Sequence, residues 1–170
     1  MIMIKLEQFD ETDFDRLISW VDSEEFMLQF AGPIFTFPLT TDQLELYISD
    51  ENRFAFKVVD SDTSDVIGHC EVYYSANRVA RLCRILLGYK NLRGQGIGEE
   101  IVRRLVEFSF DKLDALTIEL NVYEWNTSAI KCYEKVGFVV NPLISNTTKF
   151  KNHDWTSLNM ILDKLDWKEQ

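Results

Sequence analysis

The chain has 170 residues, 46% apolar and 27% charged, which describes one globular domain with a sizeable core and argues against disorder or two ordinary domains. Eighteen Lys and Arg against 28 Asp and Glu leave a net charge of −10, which argues against a nucleic-acid partner held on a broad basic surface. A cationic substrate and a plain solvated acidic surface both remain compatible with that balance.

Three scattered cysteines (Cys70, Cys83 and Cys132), no Cys-x-x-C pair, and two distant histidines (His69 and His153) argue against a disulfide framework and a zinc site. The N-terminal run Met1-Ile2-Met3-Ile4-Lys5 meets charge again by Glu7, too soon for a signal peptide or a membrane span. The expectation is a soluble cytoplasmic domain.

In chain order, Ile2, Ile4 and Leu6 alternate with Met3, Lys5 and Glu7 as a first strand. Thr12 with Asp15 resembles a capping box for a helix carrying Phe14, Leu17, Ile18 and Val21, and Asp22 to Glu25 interrupts that pattern. The segment from Phe30 to Pro38 holds two prolines, a glycine and three phenylalanines; it reads as an apolar loop that either closes on the core or lines a pocket. Thr40 with Gln43 opens a second helix bearing Leu44, Tyr47 and Ile48. Phe54 to Val59, Val66 to Tyr74 and Val79 to Leu87, joined by short polar turns, predict an antiparallel meander.

Next comes Arg93-Gly94-Gln95-Gly96-Ile97-Gly98, between the apolar Ile85-Leu86-Leu87 and an amphipathic helix from Ile97 to Leu113. Alternate glycines allow a tight turn and a close approach of ligand to bare amides. The helix start adds unpaired N–H groups and partial positive charge, so the stretch is a candidate phosphate site. Thr117 to Tyr123 alternates as a strand. Asn126 or Thr127 caps a helix through Ala129, Ile130 and Tyr133 to Val136, with Gly137 where a C-terminal cap belongs. Phe138 to Val140 resumes strand character, and residues 147–150 and 155–162 form a last strand pair. The order describes one mixed α+β domain over 1–170, its core spanning about 3–165.

Two phosphate-binding patterns fail here. A P-loop needs Gly-Lys-Ser/Thr, but Glu99 and Glu100 follow Gly98. A dinucleotide fingerprint needs a third glycine where Glu99 stands, and a βαβ unit where the meander stands. The pattern that survives is Arg/Gln-x-x-Gly-x-Gly/Ala, at Arg93, Gly96 and Gly98. A second motif, N-x-x-A-x-x-x-Y-x-x-x-G-F, follows at Asn126, Ala129, Tyr133, Gly137 and Phe138. In both, the chain resembles the GCN5-related N-acetyltransferase (GNAT) superfamily. The wording of Val66 to Glu71 and of Asn152 to Met160 is similar to its RimJ/RimL-like branch, which acetylates ribosomal-protein N-termini, and to spermidine and antibiotic relatives.

The resemblance implies a central, mostly antiparallel twisted sheet of about seven strands flanked by about four helices. It implies acetyl-CoA as co-substrate and no metal, with the pyrophosphate on the amides of Arg93, Gly94, Gln95, Gly96, Ile97 and Gly98. The pantetheine arm would pair with Ile85, Leu86 and Leu87, one of whose amides would meet the thioester carbonyl. Asn126 would bind the cofactor, act as a helix cap, or both. Tyr133 would protonate the leaving thiolate, or else anchor its helix to the core. Glu71 is the first candidate for the base, against a solvated sheet face, with Glu119 and a Tyr123 relay as the alternative. The acceptor would be a primary amine entering beside loop 30–38 and Trp125, and a homodimer is a further implied partner. An acyl-CoA-binding module without catalysis is the alternative function.

Overall fold

In the computed structural model residues 3–167 are described, and Ile2 of the predicted first strand lies outside them. The elements are β1 (Ile4–Gln8), α1 (Phe14–Trp20), α2 (Glu24–Ala31), α3 (Thr41–Ile48), β2 (Arg53–Asp60), β3 (Val66–Tyr74), β4 (Val79–Leu87), α4 (Ile97–Asp111), β5 (Thr117–Tyr123), α5 (Thr127–Val136), β6 (Val139–Phe150) and β7 (His153–Asp163). The strands form one sheet of seven in the order β1-β2-β3-β4-β5-β7-β6. Every neighbouring pair is antiparallel except β4 and β5, which run parallel. This is the mixed, mostly antiparallel architecture the sequence implied. Among the described residues no helix is long and apolar enough to cross a membrane.

Alternation along the strands divides the core between the two faces of the sheet. One face buries Cys70, Val72, Leu82, Ile118, Leu120 and Met160 against Ile97, Ile101 and Leu105 of α4 and Val136 of α5. The other buries Ala55 and Leu86 against α1, α2 and α3 through Phe14, Leu17, Met27, Leu44 and Tyr47. At about 25 cal/mol per Å² of apolar surface removed from water, these two layers dominate the stabilisation of the fold.

The structure departs from the sequence pattern at three places. The capping box at the first helical turn is Asp10 with Asp13, not Thr12 with Asp15: Asp10 accepts from the Thr12 amide at 2.9 Å, and its own amide donates to Asp13 at 3.2 Å. Asp22 to Glu25 is no mere interruption, because Ser23 caps α2 through the Phe26 amide and Glu24 and Glu25 suit the first turn. Phe30 and Ala31, expected in a loop, therefore belong to a helix. Finally, β6 is continuous from Val139 to Phe150, with a register shift between Asn141 and Ser145. That irregularity accommodates Pro142, which has no N–H for the ladder.

Candidate functional site

The parallel pairing of β4 with β5 extends only from Val79–Thr117 to Leu82–Leu120. Beyond it the strands separate and open a gap in the middle of the sheet. Past the last pair, β4 runs on through Ile85 to Leu87 on one bank and β5 through Tyr123 on the other. The Gly88 N–H reaches back to Ile67 O at 2.9 Å, toward β3. By the alternation of an extended strand, the backbone groups of Leu87 and Ile85 point the other way, into the gap. Leu86 instead turns toward the core under α1–α3, where it is 5% exposed. Of the three residues expected to meet a pantetheine arm, Ile85 and Leu87 offer backbone groups to the gap and Leu86 packs behind them.

At the same end of β4 the chain enters the glycine turn. Gly94 (φ 78°) and Gly96 (φ 83°) are left-handed, and a Cβ at either would meet nothing within 4 Å. The space above both is open, so backbone conformation rather than crowding requires glycine there. Gly96 caps α4 without any side-chain hydrogen bond to the first turn. The amides of Ile97 and Gly98 are thus presented outward at a helix N-terminus, next to the exposed Arg93 and Gln95. Gln95 fixes the turn by donating to Asn91 O at 2.7 Å. Glu99 and Glu100 would repel an anion, but each is drawn back by an arginine one turn on: Arg103 at 3.1 Å and Arg104 at 2.9 Å. A pyrophosphate fits this cradle.

On the bank formed by α5, Asn126 Oδ1 accepts from the Ala129 amide at 3.3 Å and from Ser128 Oγ at 3.1 Å. The cap role is therefore present, and it leaves the Nδ2 donors for another partner. Tyr133 is partly buried and packs edge-on against Phe138, ring centres 6.2 Å apart. Burial raises its pKa well above the ordinary tyrosine value, with the thiols of Cys132 and Cys83 adding in the same direction. Its hydroxyl holds its proton across the neutral range.

Glu71 is fully buried, which overturns the solvated-face reading of its strand. Its carboxylate accepts from Arg53 Nη1 at 2.8 Å, from Arg84 Nη2 at 2.7 Å, and from Arg84 Nε and the Tyr47 hydroxyl. Burial alone would raise its pKa, but Arg84, Tyr47 and Arg53 outweigh that and hold it below the usual glutamate value. Four donors on two oxygens leave no lone pair for a substrate proton. Glu119 is engaged too, by Arg81 Nε at 2.8 Å and Asn159 Nδ2 at 3.3 Å. A direct relay from Glu119 to Tyr123 is out of reach, since four residues of strand span about 13 Å.

Beside Glu71, His69 is 1% exposed, and its Nε2 lies 3.1 Å from the Tyr47 hydroxyl. Because that hydroxyl donates to Glu71, it accepts from His69, which assigns the proton to Nε2 and leaves Nδ1 buried with no partner among the described residues. Burial lowers the His69 pKa to about 4. The sequence reading missed Arg53 and Arg84; the signal was a lone arginine inside the apolar run Leu82 to Leu87. It also missed Gly88, where a Cβ would lie 2.1 Å from the Trp20 indole. That glycine lets the end of α1 seat an aromatic ring directly on the end of β4.

Loop 30–38 plays both parts considered for it. Phe35 is buried against Tyr47, ring centres 5.3 Å apart, while Ile34 and Phe35 wall a cleft of about 230 Å³ with Gln43, Leu46, Tyr47, Asp50 and Arg53. Trp125 is 45% exposed and stacks parallel to Tyr123 at 5.8 Å, with Trp155 edge-on to both.

A sheet that splays at its centre beside an uncapped glycine turn defines a class of fold suited to an extended, phosphate-tailed ligand. A family model described as the acetyltransferase (GNAT) domain matches residues 4–139, and the chain belongs to that family. It is 24% identical over 106 residues to the SPbeta prophage-derived uncharacterized N-acetyltransferase YokL of Bacillus subtilis, a match covering 61% of this chain and 59% of that protein. In fold it is similar to the spermidine N-acetyltransferase of Vibrio cholerae solved with CoA and spermine, at a TM-score of 0.81, 22% identity and 96% coverage of each chain. It is likewise similar to the aminoglycoside acetyltransferase AAC(6')-Ib solved with coenzyme A and kanamycin, at a TM-score of 0.73, 22% identity and 96% coverage of each chain.

Proposed function

We propose that this chain is an acetyl-CoA-dependent N-acetyltransferase that acetylates a primary amine on a cationic acceptor, by direct transfer with both substrates bound. What supports the reading most is that the chain topology brings three features to the same end of the sheet. These are the gap beside Ile85 and Leu87, the turn from Arg93 to Gly98 with no side-chain cap, and Tyr133 on α5, the helix that follows β5.

When bound, acetyl-CoA supplies a thioester carbonyl open to amine attack and a thiolate leaving group. The Gly94–Gly98 amides bind its pyrophosphate, Asn126 Nδ2 adds a donor, and the Ile85 and Leu87 backbone groups hold the arm in the gap. An amide fixed at Ile85 donates to the carbonyl oxygen as negative charge grows there, and a prearranged donor does so without reorganisation. Tyr133 Oη gives its proton to the departing sulfur and is reprotonated, through water, by the second proton that the attacking nitrogen sheds as the amide forms. The acceptor reaches the gap over the open sheet face between loop 30–38 and Trp125. With Glu71 and Glu119 both committed to arginines, its ammonium proton leaves through water.

Support for a cationic acceptor comes from the net charge of −10 and from relatives in complex with spermine and kanamycin. A peptide N-terminus belongs to the same chemical class. The test is thiol release from acetyl-CoA with a panel of polyamines, aminoglycosides and peptides, with product masses confirming acetylation. Amine-dependent release is the expected result. Tight acetyl-CoA binding without release from any amine would replace the enzyme with an acyl-CoA-binding module.

A further inference from the structure

Arg84 is a non-glycine residue in left-handed conformation, with φ 51°, inside β4. The pairing of β3 with β4 shows what this does. His69 faces Leu86 and Glu71 faces Cys83, so Cys70 stands opposite two residues, Arg84 and Ile85. That is a bulge, and it resets which backbone groups of β4 point at β3 and which point into the gap. Without it the register slips by one residue, and the amide of Ile85 turns away from the gap.

We propose that Glu71 is a positioning residue rather than a base: through Arg84 it holds the bulge that aims the Ile85 amide at the reacting carbonyl. This rests on the acetyltransferase reading above. The guanidinium meets the carboxylate as a fork, with Nε on Oε2 and Nη2 on Oε1 at 2.7 Å. Their side chains are 9% and 0% exposed, so water does not compete for the pair. Tyr47 closes the arrangement from α3, donating to Oε2 and placing its ring 5.5 Å from the Arg84 guanidinium carbon. Arg53 steadies the other oxygen from β2 at 2.8 Å while pairing with Asp50 at 3.2 Å. The left-handed turn disfavoured by an arginine backbone is over-determined by its own side chain. The helical layer is thereby tied to the aim of a backbone donor on the opposite bank from Tyr133.

The test compares wild type, Glu71→Gln, Arg84→Lys and the double variant Glu71→Gln/Arg84→Gly for kcat, amine KM and the pH profile of kcat/KM. Lysine keeps the charge but cannot fork. Glycine adopts φ 51° without help and removes the stranded cation. Both single variants are expected to lose about 10- to 100-fold in kcat, less than the roughly 100- to 1,000-fold that outright removal of an oxyanion donor costs, because the amide is misaimed and not deleted. Amine KM and the acidic midpoint should stay where they are, and the double variant should recover most of the kcat lost by Glu71→Gln. Loss of the acidic limb in Glu71→Gln with full kcat in Arg84→Lys would make Glu71 a base and overturn the inference. A rise confined to amine KM would make it a substrate ligand, with the same consequence. If Glu71→Gln does not fold, the split between kcat and amine KM in Arg84→Lys decides. Wild-type protein that releases no thiol with any amine overturns the acetyltransferase reading and this inference together.

Discussion

The two banks of the central gap are built in different ways. The bank that would hold the cofactor is local: Arg93 to Gly98 turn on themselves, Asn126 caps the helix that carries Tyr133, and Gly137 ends it. The bank behind β4 is assembled at long range, from Tyr47 on α3, Arg53 on β2, Glu71 on β3, Arg84 on β4 and Trp20 at the end of α1. Local construction leaves the cofactor bank exposed and interchangeable in its details. Long-range construction makes the second bank both a core and a part of the site. Lesions in the first should therefore change activity with at most about 1 kcal/mol of stability lost, the weight of a helix cap, and lesions in the second should change both substantially.

The sharpest way to break this contrast is Tyr133→Phe. Removing the hydroxyl is expected to cut kcat by about 100-fold or more, the usual weight of a general acid, with the unfolding midpoint in urea nearly unchanged. Because the Tyr133 pKa is raised by burial, the alkaline limb of the wild-type profile should not fall at the ordinary tyrosine value. A large loss of stability in this variant would show Tyr133 to be an anchor for its helix.

On the other bank, Gly88→Ala forces a methyl group into the Trp20 indole and should cost about 1–3 kcal/mol, as overpacking usually does. Activity should fall with it, because the same contact fixes the end of β4. Denaturant unfolding and steady-state rates on one preparation check both halves. Trp20→Ala in the Gly88→Ala background should recover part of the stability.

His69 gives the second bank a pH signature. Its folded pKa, near 4, lies below the unfolded value of about 6.5, so the unfolded chain takes up the proton first. The stability that His69 contributes as a neutral ring is complete above about pH 6.5 and is lost as pH falls toward 4, a change of about 3 kcal/mol. Urea unfolding across that window should show a slope of up to one proton that His69→Gln flattens. The smallest effect is expected at Asn126→Ala, where losing the cap should cost about 1 kcal/mol and weaken acetyl-CoA binding modestly.

The same contrast accounts for what was legible in the sequence. Glycine spacing, the Thr40 cap with Gln43, the alternation of β2 to β5 and the Asn126-to-Phe138 motif are all written within short windows, and each led to the right element. The ends of α1 and α2 were harder, because Ser23 followed by Glu24 and Glu25 can end one helical pattern or begin the next. Glu71 stands out in the sequence as a carboxylate among apolar strands, but its partners lie 24, 18 and 13 residues away, and no short window contains them. A buried acid and its arginines look, in sequence, like a free acid and surface charge. The bulge at Arg84 was hidden for the same reason: its signal is a backbone angle set by a distant carboxylate.

The most direct test of the central claim is a calorimetric titration of acetyl-CoA into the wild-type protein and into Gly96→Val. Valine at φ 83° strains the turn and projects into the open space above the amides. The account predicts one saturable site per chain in the wild type and a loss of affinity of about tenfold or more in the variant, which would remain folded. Equal affinity in the two proteins would place the cofactor elsewhere and contradict the account.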